Sequence, residues 1–409
     1  MQLIMKNIKF LSFILYSVVV LLLTNACVEQ IDLKTISFDD ALVVEGSITN
    51  ENKFHQIKLS RTFKIEDNTP TTESNAKVEV IDDAGNTYHF EEETPGVYLS
   101  EVEFKAETGR QYQLKITTSN GRSYSSQPTQ ITNEAEINEV IAVKEIDSNG
   151  NEGISIQVSS YNANGDARYY RYEFEETYKI ITPYWSAYDA VVISDVPPFK
   201  VDFVPRTKEE KTCYNTIFSE GIIQTETNSF VEDRVSKFPV RFISKDDFII
   251  TNRYSILLKQ YVQSIEAYTF YNILNNLSGS ESLFSQNQPG FFSGNISSDE
   301  NSEEKVIGFF EVASVATKRI FVNPREIIET SPPYISNCEL VAPLLVDGSG
   351  NSSPLIDAIK AGTLKFFQVN GGKFSPVDPI PGGPYQMVPV PCSDCTVLGT
   401  NVKPDFWIE

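Results

Sequence analysis

Histidine is nearly absent from this 409-residue chain, which has only His55 and His89. Both fall in the first quarter, on strand-like segments. A general acid–base or metal site built on imidazole is therefore not expected in the larger second half. No Gly-x-Ser-x-Gly elbow occurs, because Gly290-Phe291-Phe292-Ser293-Gly294 has the wrong spacing. Gly371-Gly372-Lys373 lacks the upstream Gly and the following Ser or Thr of a phosphate loop. Gly348-Ser349-Gly350 lacks the third Gly of a dinucleotide fingerprint. Positive charge is also short: 34 Lys and Arg stand against 55 Asp and Glu, for a net charge of −21. Nucleic acid and anionic membrane surfaces should repel such a chain. Glycoside hydrolysis needs only two carboxylates, and among so many acids the sequence nominates no pair. Nothing calls for a cofactor. The acidic cluster Asp299-Glu300 with Glu303-Glu304 lacks the ligand spacing of a calcium loop.

What is present begins at the N-terminus. Lys6 and Lys9 precede the apolar run from Phe10 to Leu23, and Thr24-Asn25-Ala26-Cys27 follows. A run of fourteen residues is too short for a spanning helix of about twenty. A positive segment, a short apolar segment and a small residue before the cut make a secretory signal. A cysteine just after it points to lipidation at Cys27. Thr24 stands where such motifs usually have Leu. The expected plan is a signal peptide over 1–26 and a tether over 27–40, with the membrane engaged through acyl chains on Cys27.

Beyond Cys27 four cysteines remain: Cys213, Cys338, Cys392 and Cys395. An even number in an exported chain suggests two disulfides, and the three pairings stay open. A four-cysteine zinc site would need a second CxxC, which is missing.

Residues 41–132 alternate apolar and polar positions in short runs separated by turns such as Asp82-Asp83-Ala84-Gly85-Asn86 and Ser119-Asn120-Gly121-Arg122. That pattern predicts an immunoglobulin-like β-sandwich. Gly109-Arg110-Gln111-Tyr112 resembles a corner in which a Tyr hydroxyl bonds back to backbone, or else Tyr112 is simply core. A second, larger β-rich domain is expected over 133–330, with one prominent helix near 264–278 capped by Ser264. In Tyr169 to Phe174, Tyr170, Tyr172 and Phe174 share one face, expected buried. Tyr169, Arg171 and Glu173 share the other, expected solvated. Ile180 to Arg206 reads as a long irregular loop. Its aromatics Tyr184, Trp185 and Tyr188 are candidates for stacking on a sugar or a partner, or for capping the core. Residues 331–409, with six prolines from Pro376 to Pro391, read as an irregular tail packed on the second domain and held by its cysteines. The fold class is thus mainly β.

Several stretches in order resemble one family. They are Leu42 to Gly46, Gly96-Val97-Tyr98, Tyr254 to Tyr261, Gly294-Asn295-Ile296, Val306 to Phe310, and Cys392-Ser393-Asp394-Cys395 running on to Lys403-Pro404-Asp405-Phe406-Trp407. Together they look like the Bacteroidota lipoproteins of domain of unknown function 4249. The resemblance implies an outer-membrane lipoprotein, often encoded beside a TonB-dependent transporter, and no catalytic residues. Glu29 and Asp32 resemble the acidic surface-export signal of such lipoproteins. The expectation is a non-enzymatic envelope protein, surface-exposed, that binds such a transporter or its substrate. The alternatives are a structural or adhesive envelope protein and a carbohydrate-active enzyme.

Overall fold

The computed structural model describes residues 41–63, 71–278, 294–329, 332–372 and 376–409. The leader, the tether and Cys27 lie outside the described residues, as does Gly279, expected to stop the helix. The N-terminal strands are β1 (Leu42–Thr49), β2 (Gln56–Arg61), β3 (Thr71–Thr72), β4 (Lys77–Asp82), β5 (Thr87–Thr94), β6 (Val97–Ser100), β7 (Gln111–Thr117), β8 (Ser123–Ser126) and β9 (Thr129–Gln130). Next come β10 (Ile137–Ile146), β11 (Glu152–Asn162), β12 (Tyr169–Ile181), β13 (Tyr188–Ser194), β14 (Lys200–Pro205), β15 (Thr212–Phe218), β16 (Ile223–Glu226), β17 (Asp233–Ser244) and β18 (Tyr254–Val262). Helix α1 (Ile265–Ser278) precedes β19 (Ile296–Ser298) and β20 (Val306–Val322). Helix α2 (Pro354–Lys360), β21 (Leu364–Val369) and β22 (Tyr385–Pro389) complete the chain. The protein is mainly β, as expected.

Alternation explains the first strands. Leu42, Val44 and Ile48 of β1, Ile57 and Leu59 of β2 and Val78 and Val80 of β4 point into one core with Tyr98, Leu114 and Tyr124. Burying such side chains stabilises by about 1.5–3 kcal/mol each. One device sets several of the turns. Asp82 accepts the N–H groups of Ala84 and Asn86 and the Asn86 amide. Asp147 does the same with Asn149 and Asn151. The Tyr112 hydroxyl accepts the Glu107 N–H at 2.8 Å, so the corner is present.

These strands are hydrogen-bonded in the order β20-β1-β2-β6-β5-β4-β7-β8-β19. Asn295 brings the run back to its start. Its amide exchanges two hydrogen bonds with Phe310 of β20, at 2.9 and 2.8 Å, while its carbonyl accepts from Gln127 beyond β8. A Cβ on Gly294 would sit 1.5 Å from the Gly308 carbonyl oxygen, so only glycine permits this closure.

The stretches Val306–Val312 and Arg319–Val322 both belong to β20. It is one strand, pairing parallel with β1 through its first half and antiparallel with β18 through its second. Polar Ser314, Thr317 and Lys318 break the apolar run without breaking the strand. The same sheet continues through β18 and β12 to β15. One face of β12 and β18 packs on the three-stranded sheet β10-β11-β17 around Tyr170, Tyr172, Ile156 and Leu258. Ser264 caps α1, its hydroxyl accepting the Ala267 N–H at 3.1 Å. Among the described residues no helix is long and apolar enough to cross a membrane.

Two expectations are corrected. The segment Ile180–Arg206 is not an irregular loop: β12 runs to Ile181, and β13 and β14 form an antiparallel hairpin. Pro197 and Pro198 lie in its turn, between β-branched strands, so they punctuate rather than disorder it. The C-terminal segment likewise carries α2 and the hairpin β21–β22. Its prolines fall largely in the connection between those strands. Asn370 holds that connection through hydrogen bonds to Ile380 and Gly383. Leu355, Phe366 and Met387 form a core with Val201 and Phe203 of the β13–β14 hairpin.

Candidate functional site

A concave feature lies where the N-terminal strands meet the second half of the shared sheet. It is a cleft of about 810 Å³. Outward residues of β1 and β2, among them Val43, Glu45 and Lys58, form one side. Phe270, Tyr271 and Leu274 of α1 form another. Helix α1 is seated there because Phe270 and Ala267 pack on Phe309 of β20. Arg171 and Glu173 of β12 close the cleft.

Arg171 corrects the expectation that its face of β12 is solvated. It is 8 % exposed, because α1 covers this end of the strand. Its guanidinium donates to Glu311 at 3.0 Å and to Glu173. It also lies over the rings of Tyr261, at 4.3 Å, and Tyr271, at 5.2 Å. Glu311 accepts a second bond, from the Gln263 amide at 3.0 Å, and the Tyr261 hydroxyl donates to Glu173 at 3.0 Å. Gln224 donates to Gln263 in turn, at 2.6 Å. Burial works against the Arg171 charge, but Glu311, Tyr271 and Glu173 outweigh it and hold its pKa above the ordinary value. Burial pushes the Glu173 carboxyl up, but Arg171 and the hydrogen bonds from Arg171 and Tyr261 hold it below the usual range. Burial, with the negative charges nearby, raises the hydroxyls of Tyr261 and Tyr271. His55 also lines the cleft. Its Nε2 lies 2.9 Å from the Phe104 carbonyl, and burial lowers its pKa to about 4. It is a neutral structural ring at ordinary pH.

The residues singled out from sequence lie elsewhere. The cysteines pair as Cys213–Cys395 and Cys338–Cys392, so each CxxC cysteine serves a different bridge. Tyr184 is half-buried with its ring edge-on to Phe367, and its N–H donates to the Cys392 carbonyl. Trp185 is half-buried beneath the Lys211 ammonium. Tyr188 alone of the three is exposed, at 49 %. They are dispersed rather than gathered into a stacking platform. Asp299 accepts from Ser125, and Glu304 from Tyr124 and Arg122, so the acidic cluster clasps β8. Among the described residues no group of three or more His, Cys, Asp or Glu is placed to hold a metal. The cleft itself was missed. Its charged pair spans 140 positions, and a lone Arg on an alternating strand gives no local sign of burial.

The family model described as domain of unknown function (DUF4249) matches residues 28–319. The chain belongs to this family. No curated protein matches it. The DUF4249 span contains every residue that lines the cleft, from Val43 to Phe309, together with the whole of the Arg171 network. Cys338, Cys392 and Cys395 fall beyond it.

Proposed function

We propose that this protein is a non-enzymatic lipoprotein of the cell envelope, anchored through Cys27 in the outer membrane of a Bacteroidota cell. In this reading it binds a TonB-dependent transporter, or that transporter's substrate, through the cleft. The observation that carries the binding part is the state of the carboxylates there. Glu173 and Glu311 both face one guanidinium, and Glu173 is held ionised. A glycosidase needs one carboxyl with a raised pKa beside an ionised one. A locked ion network flanked by aromatic and aliphatic side chains suits recognition instead.

The leader ending in Ala26-Cys27 supports the anchor, and the two disulfides suit an oxidising compartment. Strand β1 carries cleft residues and begins fifteen positions after Cys27. A tether of that length has a reach of about 50 Å at most, which would keep the start of β1 within that distance of the anchored sulfur. The test is affinity capture of the tagged full chain from solubilised envelopes. An outer-membrane β-barrel protein should co-purify, and the cleft variants Glu45→Lys and Lys58→Glu should lose it. Capture of no such protein, or equal capture by both variants, sinks the reading.

A further inference from the structure

The loop between β16 and β17 exposes two apolar side chains, Phe230 at 61 % and Val231 at 99 %. It is firmly held at its base. The Arg168 guanidinium donates to the carbonyls of Thr227, at 3.1 Å, and Phe230, at 3.2 Å. The buried Asp233 carboxylate accepts from Thr227 at 2.6 Å, Tyr170 at 2.8 Å and the Ala167 N–H at 3.1 Å. A buried carboxylate with three donors, on the strand that follows, fixes the loop's end. The two apolar side chains are thus presented on a preorganised support, which lowers the entropic cost of using them in a contact.

Phe230 also forms part of the wall of an open pocket of about 490 Å³. Val235 and Phe238 supply its apolar floor, and Glu226, Glu232 and Arg234 its charged edge. Phe238 is itself backed by the Tyr172 ring at 5.6 Å. Arg234 is fixed over the Tyr161 ring at 4.2 Å and bonds Glu232 at 3.0 Å. One patch therefore holds a protrusion, a recess and both signs of charge. That is the composition a two-fold contact requires, since each surface must complement its own copy. The carboxylates Glu226 and Glu232 also set the knob against insertion at an anionic lipid surface.

We infer that this patch binds a second copy of the same chain. Val231 of each protomer enters the other's pocket, against the Phe230 that walls it, and Arg234 of each meets Glu232 of its mate. Fixed, desolvated apolar anchors of this kind dominate small interfaces.

Sedimentation of the full chain in detergent tests it, with near-ultraviolet circular dichroism confirming that each variant is folded. Wild type should self-associate. Val231→Asp should weaken that association by at least about tenfold. Arg234→Glu and Glu232→Arg should each be monomeric alone and associate when mixed, because the swapped charges again oppose. Shared detergent micelles cannot produce that pattern. A photo-crosslinker at position 231 should link to residues 225–238 of another copy. A wild type that stays monomeric, a mixture of the charge variants that does not associate, or crosslinks solely to a different protein or to lipid would each overturn the inference.

Discussion

Replacing Arg171 by methionine tests the network under the cleft. Glu311 is nearly inaccessible, its side chain 2 % exposed, and Arg171 is its cation at 3.0 Å. In Arg171→Met the Gln263 amide still donates to Glu311, but a buried carboxylate is left without a counter-charge. Breaking a buried pair from one side costs about 3–5 kcal/mol. In the double variant Arg171→Met with Glu311→Leu no charge is stranded. Most of the loss should return, short of about 1 kcal/mol for the Gln263 amide that loses its acceptor. Urea unfolding, followed by circular dichroism, measures all three chains. A single variant that loses under about 1 kcal/mol, or a double variant no more stable than the single, would refute the reasoning.

Three further outcomes follow from other contacts. His55 titrates near 4 when folded and near 6.5 when unfolded. The unfolded chain therefore takes up the proton first, and stability falls as pH drops through 6.5 toward 4. Between pH 7.5 and 5.5 this should lower the unfolding free energy by about 1.4 kcal/mol, and His55→Gln should flatten that dependence in the same urea assay. The disulfides close 182 and 54 residues of chain, so loop entropy gives upper bounds of about 5 and about 4 kcal/mol. Limited proteolysis of Cys213→Ser/Cys395→Ser should cut the C-terminal segment first, and a cleavage pattern unchanged from wild type would contradict that clamp. Tyr112→Phe strands the Glu107 N–H and should cost about 1–3 kcal/mol, against a negligible change if Tyr112 acts only through its ring.

Local chemistry was legible and distant pairing was not. Alternation announced β1, β2, β4 and β7, the Asp82 and Asn120 turns announced their hairpins, and Ser264 announced α1. The hairpin β13–β14 gave no clear local signal because Pro197 and Pro198 interrupt the strand pattern between Val191-Val192 and Val201 to Phe203. Helix α2 had its own signals, Ser353 as cap and Pro354 in the first turn. Seven residues, under two turns, are too few to reveal a helical period. The role of β20 depends on strands over 200 positions apart along the chain, and no local pattern carries that. Arg171 shows the limit most plainly. Its spacing on β12 is that of a solvated residue, and only α1, laid across the strand end, makes it the centre of the cleft.

The proposed anchor at Cys27 would tie the cleft to the envelope, and intact mass spectrometry of the mature N-terminus tests it directly. The account predicts a chain that begins at Cys27 and carries acyl chains on that residue. A free thiol at Cys27, or a chain that keeps residues 1–26, would contradict it.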